Sequence, residues 1–266
     1  MRQNKTKRLL RQGETVIGTW LDELRSPAVA QLLAAAGLDF LIVDMEHAPY
    51  NMETMADIVR MARQVGVTPV VRVPDLTWER IGRVLDAGAQ GLMLPRVEGP
   101  GEVHQFVSYL KYPTAGRRGM ASGLGNTDFQ WVTTQEYINF INDEILVIIQ
   151  IENKEAVANL DALSTVAGVD VFFIGPEDLS ISLDLAGQQS HPHVLETISH
   201  IISVARRQQI IPGMPTSRPE SIPSLRQQGV RFITYASDVE FIYNGALQGV
   251  QALRGSNKVE VTQAGE

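Results

Sequence analysis

Eight short apolar runs punctuate the chain, and most are followed by a longer stretch whose apolar residues recur at helical spacing. The runs are TVIGTW (15–20), DFLIVDME (39–46), TPVVRV (68–73), GLMLPRV (91–97), ILVIIQIE (145–152), VDVFFIG (169–175), IIPGMP (210–215) and RFITYASD (231–238). Brief uninterrupted runs rich in Val, Ile, Leu and Phe predict strands covered on both faces. The segments between them include SPAVAQLLAAAG, NMETMADIVRMARQVG, WERIGRVLDAGA, NKEAVANLDALSTVAG and HPHVLETISHIISVARRQQ, which predict amphipathic helices. Gly37, Gly66, Gly168 and Gly229 stand where left-handed C-caps are expected. Eight such β-α units in 266 residues predict a (β/α)8 TIM barrel over 1–255, one domain, with 256–266 as a flexible tail. A doubly wound open sheet would place a Gly-rich phosphate turn after the first strand, and GTWLDELRSP is no such turn. One stretch breaks the rhythm: YPTAGRRGMASGLGNTDFQWVTTQEYINFINDE, centred on 112–142, is too long for a routine connection and predicts a functional or interface role.

Composition narrows the function. A net charge of −7 and a pI near 5.3 leave no basic stripe to neutralise phosphates, so no nucleic-acid partner is expected. The absence of cysteine rules out thiolate nucleophiles, disulfides and Cys-ligated zinc. No apolar run approaches the ~18 residues of a membrane span. Residues 1–13 are basic and polar without an apolar core, so no secretory signal is expected and a cytoplasmic location follows.

In a barrel the active site is built where the strands end. Reading only those positions gives Asp44, Glu46 and His47 after the second strand and Arg72 on the third. The fifth strand ends in Gln150 and Glu152, Glu177 and Asp178 follow the sixth, and Asp238 closes the eighth. Asp44, Glu46 and His47 also admit a bland reading, since Asn51 is placed to cap the next helix. Gln150 and Glu152, two apart on a strand, share a face. Two carboxylates, one guanidinium and one imidazole on one rim suit metal-assisted enolate chemistry. Glu152 and Asp178 would hold a hard divalent cation, Mg²⁺ or Mn²⁺ ahead of Co²⁺ or Zn²⁺. That cation would polarise the carbonyl of a 2-oxo acid. Arg72 would stabilise the developing enolate oxygen and His47 would act as acid/base. A Schiff-base lysine is disfavoured, because none of Lys5, Lys7, Lys111, Lys154 and Lys258 falls within a predicted strand.

The stretches VDMEHAPYN, VRVP, LDAGAQGLMLPRV, YPTAGRRG, IIQIEN, VFFIGPEDLS and ASDV resemble the HpcH/HpaI aldolase group, in order from about Gly18 to Leu253. That group comprises class II, metal-dependent pyruvate aldolases. The resemblance implies His47 as base and Arg72 as transition-state stabiliser, with Glu152 and Asp178 as metal ligands. It implies that Gln150 and the backbone of Gly175, Pro176, Glu177 and Asp178 contact the oxo acid. It also assigns Asp86 the task of raising the basicity of the histidine, although spacing alone reads Asp86 as an ordinary helix residue. Further implications are pyruvate and an aldehyde as small-molecule partners, a last helix swapped between subunits, and a homo-trimer or homo-hexamer. The long segment would then reach a neighbour's active site. The chain departs from the group after RRG, where it has MASGLGNTDFQWV, and at Glu177, where a small residue is usual. Two other readings remain: a CoA-thioester lyase of the citrate lyase β type, for which Arg117 and Arg118 are the only rim cations available, and a barrel that binds 2-oxo acids without turnover.

Overall fold

The computed structural model describes residues 1–254. The tail predicted over 256–266 lies outside the described residues. The chain runs α1 (Lys5–Arg11), β1 (Val16–Leu21), α2 (Ala28–Ala35), β2 (Phe40–Asp44), α3 (Met52–Val65), β3 (Thr68–Arg72), α4 (Trp78–Ala87) and β4 (Gly91–Leu94). It continues with α5 (Pro100–Leu110), α6 (Thr134–Glu144), β5 (Leu146–Ile151), α7 (Lys154–Ala158), α8 (Leu160–Ser164), β6 (Val171–Ile174) and α9 (Pro176–Ser182). It ends with α10 (Pro192–Arg207), β7 (Ile211–Thr216), α11 (Ile222–Gln228), β8 (Phe232–Ser237) and α12 (Asp238–Arg254). The strands close in sequence order into an all-parallel barrel, as predicted, with β8 paired to β1.

Each strand sends alternate residues to two cores. Phe40 and Ile42 point into the barrel with Val70, Met93, Ile148 and Phe173. Leu41 and Val43 point outward against the helices, among Ile58, Val71 and Val84. The interior is tight enough to dictate its smallest member. Phe40 stacks on Phe232 with ring centroids 4.0 Å apart. A Cβ on Gly18 would lie 2.4 Å from the Phe40 ring.

Three of the predicted Gly caps hold: Gly66 and Gly229 are the left-handed caps of α3 and α11 and Gly37 follows the cap of α2, whereas Gly168, also at positive φ, lies in a turn beyond α8, which Thr165 caps. The N-terminus adds an element that the eight strand–helix units did not include. Residues 5–11 form α1, which closes the floor of the barrel where the strands begin. Asn4 caps α1 by accepting the Lys7 N–H at 2.9 Å, and Leu10 joins the barrel interior. The Lys7 ammonium is buried and donates to Asp170 at 2.8 Å and to the Ile145 carbonyl at 2.6 Å. Burying that charge is tolerable only because it is paired. NKEAVANLDALSTVAG, read as one helix, is broken at Asn159 into α7 and α8.

The long segment packs beside α3 and α4 near the floor. It holds α6, is pinned by Arg63 to Asp128 at 3.1 Å, and packs Tyr112 on Tyr137 with centroids 5.8 Å apart. Its Trp131 is 86% exposed, neither core nor pocket lining within the chain. On α12 the side chains of Val239, Ile242, Tyr243, Val250 and Leu253 are exposed. No helix among the described residues is long and apolar enough to cross a membrane.

Candidate active site

β2 ends at Asp44 and β3 at Arg72, and the two are register partners. Their side chains form a buried bidentate pair, Arg72 Nε to Asp44 Oδ1 at 2.8 Å and Nη2 to Oδ2 at 2.7 Å. The same carboxylate accepts the backbone N–H groups of Glu46 at 2.9 Å and His47 at 3.3 Å. Asp44 therefore both folds the turn beyond its strand and fixes the guanidinium. The bland reading of this strand end is also true, since Asn51 caps α3 by accepting the Thr54 N–H at 2.9 Å. Burial opposes the charge on Arg72, but its bonds to Asp44 and the nearby carboxylate charges outweigh it and hold the guanidinium pKa above its ordinary value. Beneath, Arg72 lies 4.5 Å over the Trp20 ring, whose Nε1 donates to Thr234 at 3.0 Å. With a carboxylate at its edge and an aromatic face below, Arg72 is preorganised.

Glu46 is the junction of the rim. Its Oε2 lies 3.3 Å from Arg72 Nη1 and 3.8 Å from His47 Nε2, and its Oε1 is 2.9 Å from Arg96 Nε. The His47 ring is 70% exposed and stands at the mouth.

On β5, Gln150 and Glu152 share a face as predicted, and both are buried. Glu152 Oε1 accepts the backbone N–H of Arg96 at 2.7 Å, while its Oε2 and the Oε1 of Gln150 have no partner among the described residues. Both side chains converge on Gly175. A Cβ there would lie 2.8 Å from Glu152 Oε2 and 3.1 Å from Gln150 Nε2. Pro176 opens α9, and Glu177 and Asp178 occupy its exposed first turn. Their amides have no carbonyl one turn back within the helix. Burial pushes the Glu152 carboxyl up to about 7; the Arg96 N–H opposes the rise and the charges of Asp178 and Glu46 add to it. Asp22, just past β1, is pushed up to about 6 by burial and by the nearby Asp44 and Asp238. Asp238 serves the backbone instead, accepting the N–H groups of Asp22, Glu23 and Leu24 at 3.0, 3.1 and 2.7 Å.

A buried carboxylate with one oxygen bonded and the other bare, facing a side-chain-free position and a second carboxylate nearby, suits a hard cation that keeps several waters. No third His, Cys, Asp or Glu joins Glu152 and Asp178 among the described residues. The donor set therefore fits Mg²⁺ or Mn²⁺ better than a closed zinc site.

One predicted contact is not made within the chain. Asp86 accepts from Arg118 Nη2 at 2.8 Å and is not beside His47. The reason is direction: α4 starts at the rim after β3 and runs to the floor, and Asp86 sits in its last turn. Conversely, sequence reasoning gave no role to Arg96, although it follows β4 as Arg72 closes β3, and reading all eight strand ends alike would have found it. His191, His193 and His200 are on or beside α10 rather than at a strand end. Lys7 and the half-buried Lys111 lie near the floor, the latter donating to the Asn142 carbonyl at 3.0 Å.

The family model for HpcH/HpaI aldolase/citrate lyase matches residues 17–245. A 4-hydroxy-2-oxo-heptane-1,7-dioate aldolase of Salmonella typhimurium is 35% identical over 244 residues, 92% of either chain. Among solved structures, an HpcH/HpaI aldolase from Desulfitobacterium hafniense DCB-2 superposes with a TM-score of 0.91 at 33% identity, over 95% of this chain and 97% of that one. The citrate synthase SbnG gives a TM-score of 0.86 at 28% identity, over 95% and 98%. Barrel, rim and matched sequence agree: the chain belongs to the HpcH/HpaI aldolase/citrate lyase family.

Proposed function

We propose that the protein is a class II pyruvate aldolase, cleaving 4-hydroxy-2-oxo acids into pyruvate and an aldehyde and catalysing the reverse addition. The observation that carries this is the bare Oε2 of Glu152, buried beside Gln150 and Gly175 and on the same rim as a rigidly clamped Arg72. Glu152 and Asp178 would hold the divalent cation, which when bound supplies Lewis-acid polarisation of the 2-oxo group.

The chain's own residues do the rest. Gln150 and the free amides of Glu177 and Asp178 orient the oxo-acid end, and Gly175 leaves the space it occupies. His47 takes the proton from the C4 hydroxyl. As the C4 carbonyl forms, the C3–C4 bond breaks and its electron pair passes into the enolate of pyruvate. The enolate oxygen faces Arg72, which is already aimed and pays no reorganisation. Return of a proton to C3 completes pyruvate.

Asp86, held at the floor by Arg118, would support His47 only from a neighbouring subunit. The exposed apolar residues of α12 favour such an assembly, a trimer or hexamer with that helix packed on a neighbour. The CoA-thioester reading is less well supported, because Arg118 is buried and committed to Asp86 rather than free for phosphates. A barrel that binds without turnover would have no use for an exposed imidazole at its mouth.

The test is to follow pyruvate release from 4-hydroxy-2-oxo acids, with EDTA and then added Mg²⁺, Mn²⁺ or Co²⁺. Activity should vanish with the chelator and return with the cation. Borohydride with pyruvate should add no mass; a stable adduct on a lysine such as the exposed Lys154 would overturn the class II reading.

A further inference from the structure

We propose that Arg96 is the specificity-determining residue of the rim, receiving a carboxylate carried by the aldehyde portion of the substrate. The proposal rests on the aldolase reading above and adds to it the charge of the second substrate.

The first observation is backbone conformation. Arg96 has φ 52°, in the left-handed region that disfavours a residue with a Cβ. The turn itself has a purpose, because it aims the Arg96 N–H at Glu152 Oε1. Glycine would deliver the same N–H with less strain. The turn therefore explains the conformation and leaves the side chain to be explained separately.

The second observation is where that side chain lies. It is 68% exposed, yet its head is held over the mouth by Nε to Glu46 Oε1 at 2.9 Å and Nη2 to the Pro74 carbonyl at 3.1 Å. A guanidinium has five N–H donors, and Nη1 has no partner among the described residues. The opposite oxygen of Glu46 faces Arg72 and His47, so one carboxylate separates the Arg96 head from the groups that act on C2 and C4. In the reaction proposed above, substrate atoms beyond C4 would extend outward past His47, on the side where Arg96 meets Glu46.

The third observation is charge. The rim carries Asp22, Asp44, Glu46, Glu152, Glu177 and Asp178, a setting that repels an anionic tail unless a cation receives it. Arg72 is bound on two sides by Asp44 and Glu46. Arg96 is a rim cation with open donors that stands beside Glu46, the carboxylate it shares with His47, and its planar fork matches a carboxylate.

The experiment compares aldol addition of pyruvate to succinic semialdehyde and to butanal, four-carbon aldehydes that differ in the terminal carboxylate. The wild type should favour the semialdehyde in kcat/KM by about 10-fold or more. Arg96→Gly, which suits the left-handed turn and keeps the N–H to Glu152, should cut that ratio by about 10- to 100-fold, chiefly through KM. Arg96→Lys, which keeps the charge, should retain part of it. A wild-type ratio near one overturns the proposal without any variant. A ratio unchanged in Arg96→Gly, with both aldehydes losing equally, also overturns it and leaves Arg96 a tether for Glu46 and Pro74. Turnover of butanal in either case keeps the aldolase reading; turnover of neither aldehyde by the wild type overturns the proposal, and the aldolase reading falls only if no 4-hydroxy-2-oxo acid releases pyruvate either.

Discussion

Asp44 and Arg72, the terminal residues of adjacent strands at paired register positions, are joined by hydrogen bonds of 2.8 and 2.7 Å. The Arg72 guanidinium is thus oriented by a carboxylate that also folds the turn carrying His47.

Asp44→Asn should therefore injure Arg72 and His47 together. Turnover should fall about 10- to 100-fold, as when other orienting partners are lost. Asp44→Ala, which leaves a buried guanidinium without its main partner, should also lower stability by about 3 kcal/mol. Chemical denaturation beside steady-state kinetics checks both. A variant with normal turnover would remove Asp44 from the site.

The two halves of the chemistry separate by substrate. Aldol cleavage needs a base for the C4 hydroxyl, whereas decarboxylation of oxaloacetate reaches the same enolate with no hydroxyl proton to remove. His47→Ala should lose most cleavage while keeping much of any decarboxylase activity. Arg72→Ala should lose both, by about 10²- to 10³-fold. If His47→Ala abolishes decarboxylation as thoroughly as cleavage, His47 is not simply the hydroxyl base.

In the cation-free protein the Glu152 carboxyl titrates at about 7 against an ordinary 4.5, because burial outweighs its one backbone bond. The folded state then keeps a proton that the unfolded chain has released. Stability from this group is full below about pH 4.5 and is lost as pH rises through about 7. Asp22, titrating at about 6 against 3.8, contributes in the same direction at lower pH. Protein stripped with chelator should melt at a lower temperature near pH 8 than near pH 6, and Glu152→Gln should flatten that difference. Cation affinity should run the other way, tightening with pH up to about 7, since the ligand must be a carboxylate. Calorimetry with and without Mn²⁺ reads both slopes, and a flat melting profile in the stripped wild type would contradict the assignment.

Gly175→Ala tests the pocket wall without touching a charge. The added methyl would lie 2.8 Å from Glu152 Oε2 and 3.0 Å from its Cβ, so Glu152 must shift. Cation affinity should drop by about 10-fold or more while the barrel still folds. Isothermal titration with Mn²⁺ measures this, and wild-type affinity would mean that Oε2 is not a ligand atom.

What the sequence disclosed depended on how local the determinants are. Phe40 to Val43 or Leu146 to Ile151 announce a strand because both faces of a parallel barrel strand are dry. Glycine caps are local too. Gln150 and Glu152 were paired in advance because strand alternation alone puts them on one face. By contrast, α1 hid behind its charge: the buried face includes Thr6 and Lys7, so no apolar stripe marks it. The Asp44 clamp and the Glu46 junction depend on which rim residue meets which across strands. For Asp86 the helix was placed correctly, but which end of the barrel it serves followed only from the closed fold.

With Lys7 of α1 locked to Asp170 and Ile145 and Leu10 packed in the barrel interior, the described residues close the floor and leave the rim as the way in. In the proposed reaction pyruvate, oriented by Gln150 and the amides of Glu177 and Asp178, would lie below whatever occupies the space beside His47 and Arg96. Turnover would then have a compulsory sequence in time. In cleavage the aldehyde departs first and pyruvate last, and in synthesis pyruvate must enter first. Pyruvate should accordingly inhibit cleavage competitively with the substrate, and the aldehyde noncompetitively.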